Sequence, residues 1–155
     1  MNLELEPYHY SMIFTTILAL IVILAIPKKS IRDLFIWAVL FGYVIDFLIL
    51  LGFYFLNLQA GYQNFGPFGF YNISIFHPMA WTFYFIIYLY FLPKERLYRF
   101  VAPFIAALHS TFVANILVEL NVFLWVYERI FIPYLIYLTW HLLVTYIYDR
   151  YVFID

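Results

Sequence analysis

The sequence predicts an all-α, polytopic integral membrane protein, with five transmembrane helices in a compact bundle, the amino terminus outside and the carboxyl terminus inside. Three observations support this prediction. Of the 155 residues, 67% are hydrophobic and only 11% are charged, whereas soluble domains carry about 25% charged residues. Five apolar runs have about the length that a helix needs to cross a bilayer. The basic residues gather on alternate connections between those runs.

Each apolar run is bounded by charge, proline or glycine, and none shows the period of two that a barrel strand needs. The first run stops at Pro27 and the third at Pro93, while Pro133 falls in the first turn of the fifth, where proline costs no hydrogen bond. The long fourth run leaves alternatives, namely tilt, extension beyond the bilayer, a break near Asn115 and Glu119, or a re-entrant segment and four spans. The predicted spans, within a single domain of residues 1–155, are about 8–26, 34–56, 73–92, 101–126 and 130–148.

The basic residues predict the orientation, because short cytoplasmic loops retain Lys and Arg. The connections after the first and third runs hold three cations each, and Arg150 follows the fifth run. Only Arg129 lies on the opposite side. We therefore expect a multi-pass protein of the cell membrane, of the bacterial inner-membrane type.

The connection of residues 57–72 carries no charge and is rich in aromatic residues. It predicts an ordered outer cap at the membrane interface, where amphipathic rings are favoured. A loop that docks a partner or gates a substrate is the alternative.

Polar residues inside the predicted spans call for an explanation. Inserting a membrane helix with an aspartate at its centre costs roughly 2.5–3.5 kcal/mol for that residue. From the helical rise, His109 and His141 lie at a similar depth, about 10 to 12 Å from the inner boundary. His77 and Glu119 share a layer nearer the outer side. Candidates for a proton or ion path, or for ligand binding, are Asp46, His77, His109, Asn115, Glu119, His141, Tyr43, Tyr137 and Thr145.

Helical spacing predicts partners for these groups. Tyr43 reaches Asp46 from one turn earlier, and Tyr137, His141 and Thr145 fall on one stripe of the fifth span. A purely structural alternative makes Asp46 a protonated carboxyl bonded to Tyr43 or Asn115. Small residues recur every four positions in the fourth span and predict a helix-packing ridge and a seam for oligomers: Ala102, Ala106, Ser110 and Ala114.

Composition excludes several classes of function. A net charge of −1 gives no basic surface for nucleic acid, and the lack of cysteine excludes disulfides and thiolate metal sites. No hydrolase or metalloprotease motif occurs, which argues against an enzyme, although intramembrane lipid chemistry stays an alternative.

The favoured function is a proton- or ion-coupled transporter, channel or transport subunit, since chains of Asp, Glu and His within spans form such pathways. One alternative is a non-catalytic accessory, sensor or assembly subunit of a membrane complex. Another is a site for haem b, a quinone or a metal through His109 and His141. The expected partners are the lipid bilayer and either further copies of the chain or a larger membrane complex.

Overall fold

A computed structural model describes residues 5–70 and 73–151 of the chain. These residues form an almost entirely helical structure, as predicted. Four of the helices are long and apolar enough to cross a membrane, which agrees with a membrane location. They are α1 (Pro7–Ala25), α2 (Lys28–Phe55), α4 (Arg96–Glu119) and α5 (Phe131–Tyr151).

The remaining helix, α3 (Phe76–Tyr90), has 15 residues. At 1.5 Å per residue it is about 22 Å long, which is less than the roughly 30 Å of the hydrocarbon core. The fifth crossing and the orientation therefore stay predictions. Because α3 begins at Phe76, Pro78 lies in its first turn, where the helix does not need the missing amide. Pro78 therefore requires no kink in α3.

The helix of the fourth predicted span ends at Glu119, well before the expected position 126. Asn121 has a φ of 56°, and this left-handed conformation turns the chain out of the helix. Strand β4 (Phe123–Trp125) follows and pairs antiparallel with β1 (Ala60–Tyr62). The Gln63 amide donates to the Val122 carbonyl and extends this pairing by one more hydrogen bond.

The predicted outer cap contains β1, a short 3-10 turn (Gly66–Phe68) and strand β2 (Gly69–Phe70). Strand β2 pairs with β3 (Ile73–Ser74), which lies just beyond the cap, at the start of the predicted third span. The segment is ordered by backbone pairing within the described residues. Two of its residues, 71 and 72, lie outside them.

The chain forms two compact units. Unit 1 comprises Met1–Phe91 and Leu117–Trp125, and unit 2 comprises Leu92–Ile116 and Val126–Asp155. In unit 1, α3 packs against both α1 and α2. Its fully buried side chains include Phe85 and Ile86, so the shortest helix supplies the core of this unit.

In unit 2, the buried side chains of α5 recur every three or four residues and define one face of the helix: Trp140, His141, Val144, Thr145 and Tyr148. Arg99 near the start of α4 forms an ion pair with Asp149 near the end of α5, at 2.5 Å. The Arg99 side chain also donates to the carbonyls of Pro93 and Lys94. One arginine thus holds together both helix ends and the preceding turn.

Candidate functional site

The helix α2 changes its geometry just before Asp46. Residues Val39–Val44 form a π-helical segment, which accommodates one extra residue per turn and often marks a functional position. Gly42 lies in this segment, and a β-carbon there would be 2.6 Å from the carbonyl carbon of Trp81. Only glycine therefore lets α2 approach the α3 backbone so closely at this level.

Asp46 is buried, with 5% of its surface exposed. Its Oδ1 atom accepts a long hydrogen bond of 3.4 Å from the Tyr62 hydroxyl. Its Oδ2 atom is buried and has no hydrogen-bond partner in the described part of the chain. A buried carboxyl oxygen without a protein partner is costly, because burial removes its hydration.

Tyr62 is the centre of the site. Strand β1 presents its ring against His77 in a parallel stack, with ring centroids 3.6 Å apart and planes 17° apart. The Trp81 indole Nε1 donates to the Tyr62 hydroxyl at 3.0 Å. The hydroxyl thus accepts from Trp81 and donates to Asp46, which fixes its direction.

His77 connects the site to α1. The Ser11 hydroxyl lies 3.2 Å from His77 Nε2, and the Thr15 hydroxyl donates to the carbonyls of Ser11 and Phe76. His77 Nδ1 is buried and lacks a hydrogen-bond partner among residues 5–70 and 73–151. The Asp46–His77 cluster, as we call Ser11, Asp46, Tyr62, His77 and Trp81, therefore joins three helices and a strand of unit 1.

The arrangement offers a specific chemistry. A carboxyl, a phenol and an imidazole lie in one buried group, and two acceptor or donor atoms remain open, Asp46 Oδ2 and His77 Nδ1. Such groups exchange protons or bind a small polar or cationic ligand. The described residues contain no group of three or more His, Cys, Asp or Glu that would hold a metal ion.

The structure brings Asp46 and His77 together through Tyr62, but not with the partners expected from sequence. Tyr43 is exposed, because the π-helical segment rotates it away from the face that Asp46 occupies. His77 bonds Ser11 and stacks on Tyr62 rather than pairing with Glu119, which is exposed.

Asn115 forms two side-chain hydrogen bonds near the end of α4. Its side-chain amide donates to the Thr111 carbonyl at 2.9 Å and to the Arg129 carbonyl at 2.8 Å. It thereby fastens the connection that precedes α5.

The predicted histidine pair lies in unit 2. His141 is fully buried, and its Nδ1 lies 2.7 Å from the Tyr137 carbonyl, one turn earlier. Thr145 is buried one turn later. His109 is exposed and interacts electrostatically with His141. Binding of haem, a quinone or a metal by this pair stays a prediction.

The small-residue ridge of α4 is mostly buried in the single chain. Ala106, Ser110 and Ala114 are buried and Ala102 is half-buried. Ser110 Oγ has no hydrogen-bond partner. These residues pack within the chain, so a seam between copies would need another surface.

Sequence reasoning missed Ser11 and Tyr62. A signal for Ser11 existed, because Ser11, Thr15, Leu18 and Val22 recur with helical spacing and form the buried face of α1. Tyr62 gave no local signal, since its strand is defined by pairing with residues about sixty positions later.

Comparisons with known protein families, curated proteins and solved structures found no match.

Proposed function

We propose that the chain is a small multi-pass membrane protein that couples transport to protons, as a transporter or a transport subunit. In this proposal the Asp46–His77 cluster holds the coupling proton. The observation that carries it is the position of Tyr62, which bonds Asp46 and stacks on His77 within the buried interior of unit 1.

Burial of these groups supports the proposal. Asp46 and His77 are each about 5% exposed or less, and neither forms an ion pair within the described residues. Ionisable groups buried in apolar helices are costly and are commonly retained for proton or ion movement. A structural role alone would favour full hydrogen bonding within the protein, yet each group keeps one atom without a partner among the described residues.

The proposal includes five crossings with the amino terminus outside, in a membrane of the bacterial inner-membrane type. Helix α3 would be the third crossing. Its short length is compatible with this role because irregular backbone is tolerated at membrane depth where protein covers it, and α1 and α2 pack against α3.

The crossings can be mapped with single cysteines, because the natural chain has none. Gln59→Cys should react in intact cells with a membrane-impermeant maleimide, and Lys94→Cys should react only after the cells are opened. The reverse pattern would contradict the orientation.

Proton coupling can be tested in proteoliposomes that contain a pH-sensitive dye. With an imposed pH gradient, the natural protein should pass protons faster than empty vesicles, and Asp46→Asn should abolish the difference. Asp33→Asn is the matched control, since Asp33 lies on the same helix but is exposed. Equal proton flux in the natural protein and the Asp46→Asn variant would refute the role of Asp46.

We also propose that the chain works as a homo-oligomer or within a larger membrane complex, because so few helices enclose little space for a path. Chemical crosslinking in native membranes, followed by mass measurement, tests this. A monomer at every protein concentration would contradict it.

A further inference from the structure

A cavity of about 940 Å³ opens beside the candidate site. The end of α2, the β1 segment and one residue of β4 line it, including Leu50, Phe53, Gln59, Tyr62, Gln63 and Leu124. None of the lining residues is charged. The volume falls within the range of pockets that bind small organic molecules.

Tyr62 links the cavity to Asp46, which does not itself line it. Tyr62 forms part of its wall and donates a hydrogen bond to Asp46. Leu50, also in the wall, lies one helical turn after Asp46 on the same face of α2, which is about 6 Å along the helix axis. A ligand that displaces the long bond from Tyr62 would meet the Asp46 carboxyl, whose Oδ2 atom has no hydrogen-bond partner among the described residues.

The wall chemistry favours one charge sign. A carboxyl is bonded to the wall through Tyr62, and no Lys or Arg is among the described residues that line the cavity. Three further aromatic residues, Phe53, Tyr54 and Phe55, contribute to the lining. Aromatic faces attract cations, most strongly where water is excluded, and apolar walls favour a ligand with hydrophobic groups.

We infer that this cavity binds an amphipathic organic cation, with its charge directed towards Asp46 through Tyr62. Exchange of this cation for a proton rests on the proposed proton coupling, whereas binding of the cation does not. As one monovalent cation arrives, the Asp46 carboxyl releases one proton to water, so the charge of the site is conserved. The titratable groups that face Asp46 are Tyr62 from β1 and, behind its ring, His77 from α3.

Equilibrium binding of radiolabelled tetraphenylphosphonium tests the inference. The protein would be embedded in nanodiscs of phosphatidylcholine, which carries no net charge. We expect saturable binding that weakens as protons compete at lower pH, and no saturable binding of tetraphenylborate, an anion of the same shape, when it is measured in separate samples. Asp46→Asn should weaken binding by about tenfold or more, because the cation loses a partner in a buried site. Asp33→Asn should bind as the natural protein does.

Two further variants keep the test decisive if Asp46→Asn fails to fold. Asp46→Glu retains the charge and should retain binding. Leu124→Trp narrows the cavity at a half-exposed position outside the Asp46–His77 cluster and should weaken binding. Binding that is unaffected by both Asp46→Asn and Leu124→Trp, or equal binding of tetraphenylborate, would overturn the inference.

The outcomes also separate the two proposals. Cation binding that depends on Asp46, without proton flux in proteoliposomes, would leave the binding site standing and remove the transport function. Proton flux that depends on Asp46, without cation binding, would leave proton coupling standing and remove this class of ligand.

Discussion

A β-carbon on Gly42 would lie 2.6 Å from the carbonyl carbon of Trp81, so α2 and α3 meet backbone to backbone one turn before Asp46. The contact positions two parts of the Asp46–His77 cluster at once, because Asp46 follows on one helix and Trp81 belongs to the other. The close approach is therefore a condition for the geometry of the site.

We predict that Gly42→Ala destabilises the protein by about 1–3 kcal/mol, the usual cost of overpacking a filled interior. Gly52→Ala is the matched control, since a β-carbon there has nothing within 4 Å. Equilibrium unfolding in mixed detergent and dodecyl sulfate micelles, followed by circular dichroism, measures both. Equal stability of the two variants would show that the helices are further apart than described.

The hydrogen bond between Trp81 and Tyr62 should appear as a coupling between the two residues. We predict that Tyr62→Phe and Trp81→Phe each destabilise unit 1. The double variant should lose about 0.5–1.5 kcal/mol less free energy of unfolding than the two single variants lose together. The same unfolding assay gives the double-mutant cycle. Thr139→Ala, an exposed change in unit 2, should combine additively with Tyr62→Phe. Full additivity of the Tyr62 and Trp81 changes would contradict the bond.

Replacing Arg99 should destabilise the protein more than replacing its ion-pair partner Asp149. Arg99 is mostly buried and also donates to two backbone carbonyls, whereas the Asp149 side chain is 41% exposed. We predict that Arg99→Gln costs about 2 kcal/mol, and Asp149→Asn less than about 1 kcal/mol because solvent screens that partner. Thermal unfolding in detergent measures the difference, and equal losses would indicate that the ion pair alone carries the effect.

Glu128, which lies outside the predicted spans, should make the stability of the protein depend on pH. The Ile132 amide, followed by those of Ile130 and Phe131, donates to its carboxylate and lowers the Glu128 pKa below the ordinary 4.5. A lowered folded-state pKa stabilises the protein at neutral pH, and this stabilisation is lost as the pH falls through that pKa. The natural protein should therefore be more stable than Glu128→Gln at pH 7, and the gap should close in acid. A gap that is constant with pH would disprove this.

Larger side chains on the buried small-residue ridge of α4 should destabilise the protein. We predict that Ala106→Leu destabilises the protein by about 1–3 kcal/mol, while Ile105→Leu, at a position 65% exposed, changes the stability by less than about 0.5 kcal/mol. Retention of monodisperse protein after heating provides the measurement. A harmless Ala106→Leu would place the ridge on a free surface.

The helices were largely predictable because their apolar runs stop at strong signals. Pro27 separates α1 from α2, and Pro133 lies near the start of α5. The end of α4 was not predictable in this way, since residues 120–126 are nearly all apolar and only Asn121 interrupts them. Pairing of β4 with β1 decides their conformation.

The site was predictable only in part. Burial cost identified Asp46 and His77 as unusual, but the π-helical segment altered the helical spacing on which the Tyr43 contact was based. Tyr62 enters from a strand, and no periodicity within the helices indicates it. Side chains brought in by long-range pairing cannot be found from helical spacing alone.

The pairing of residues 60–62 with 123–125 also has a consequence for biosynthesis. A ribosome completes the first two helices and the third long before it reaches Trp125, so the nascent chain has no strand to hold Tyr62 in its final position. The closing of the site is then a late event in maturation. A polypeptide truncated before residue 123 would retain Asp46. It would lack strand β4, which pairs with β1 and so holds Tyr62 beside that carboxyl.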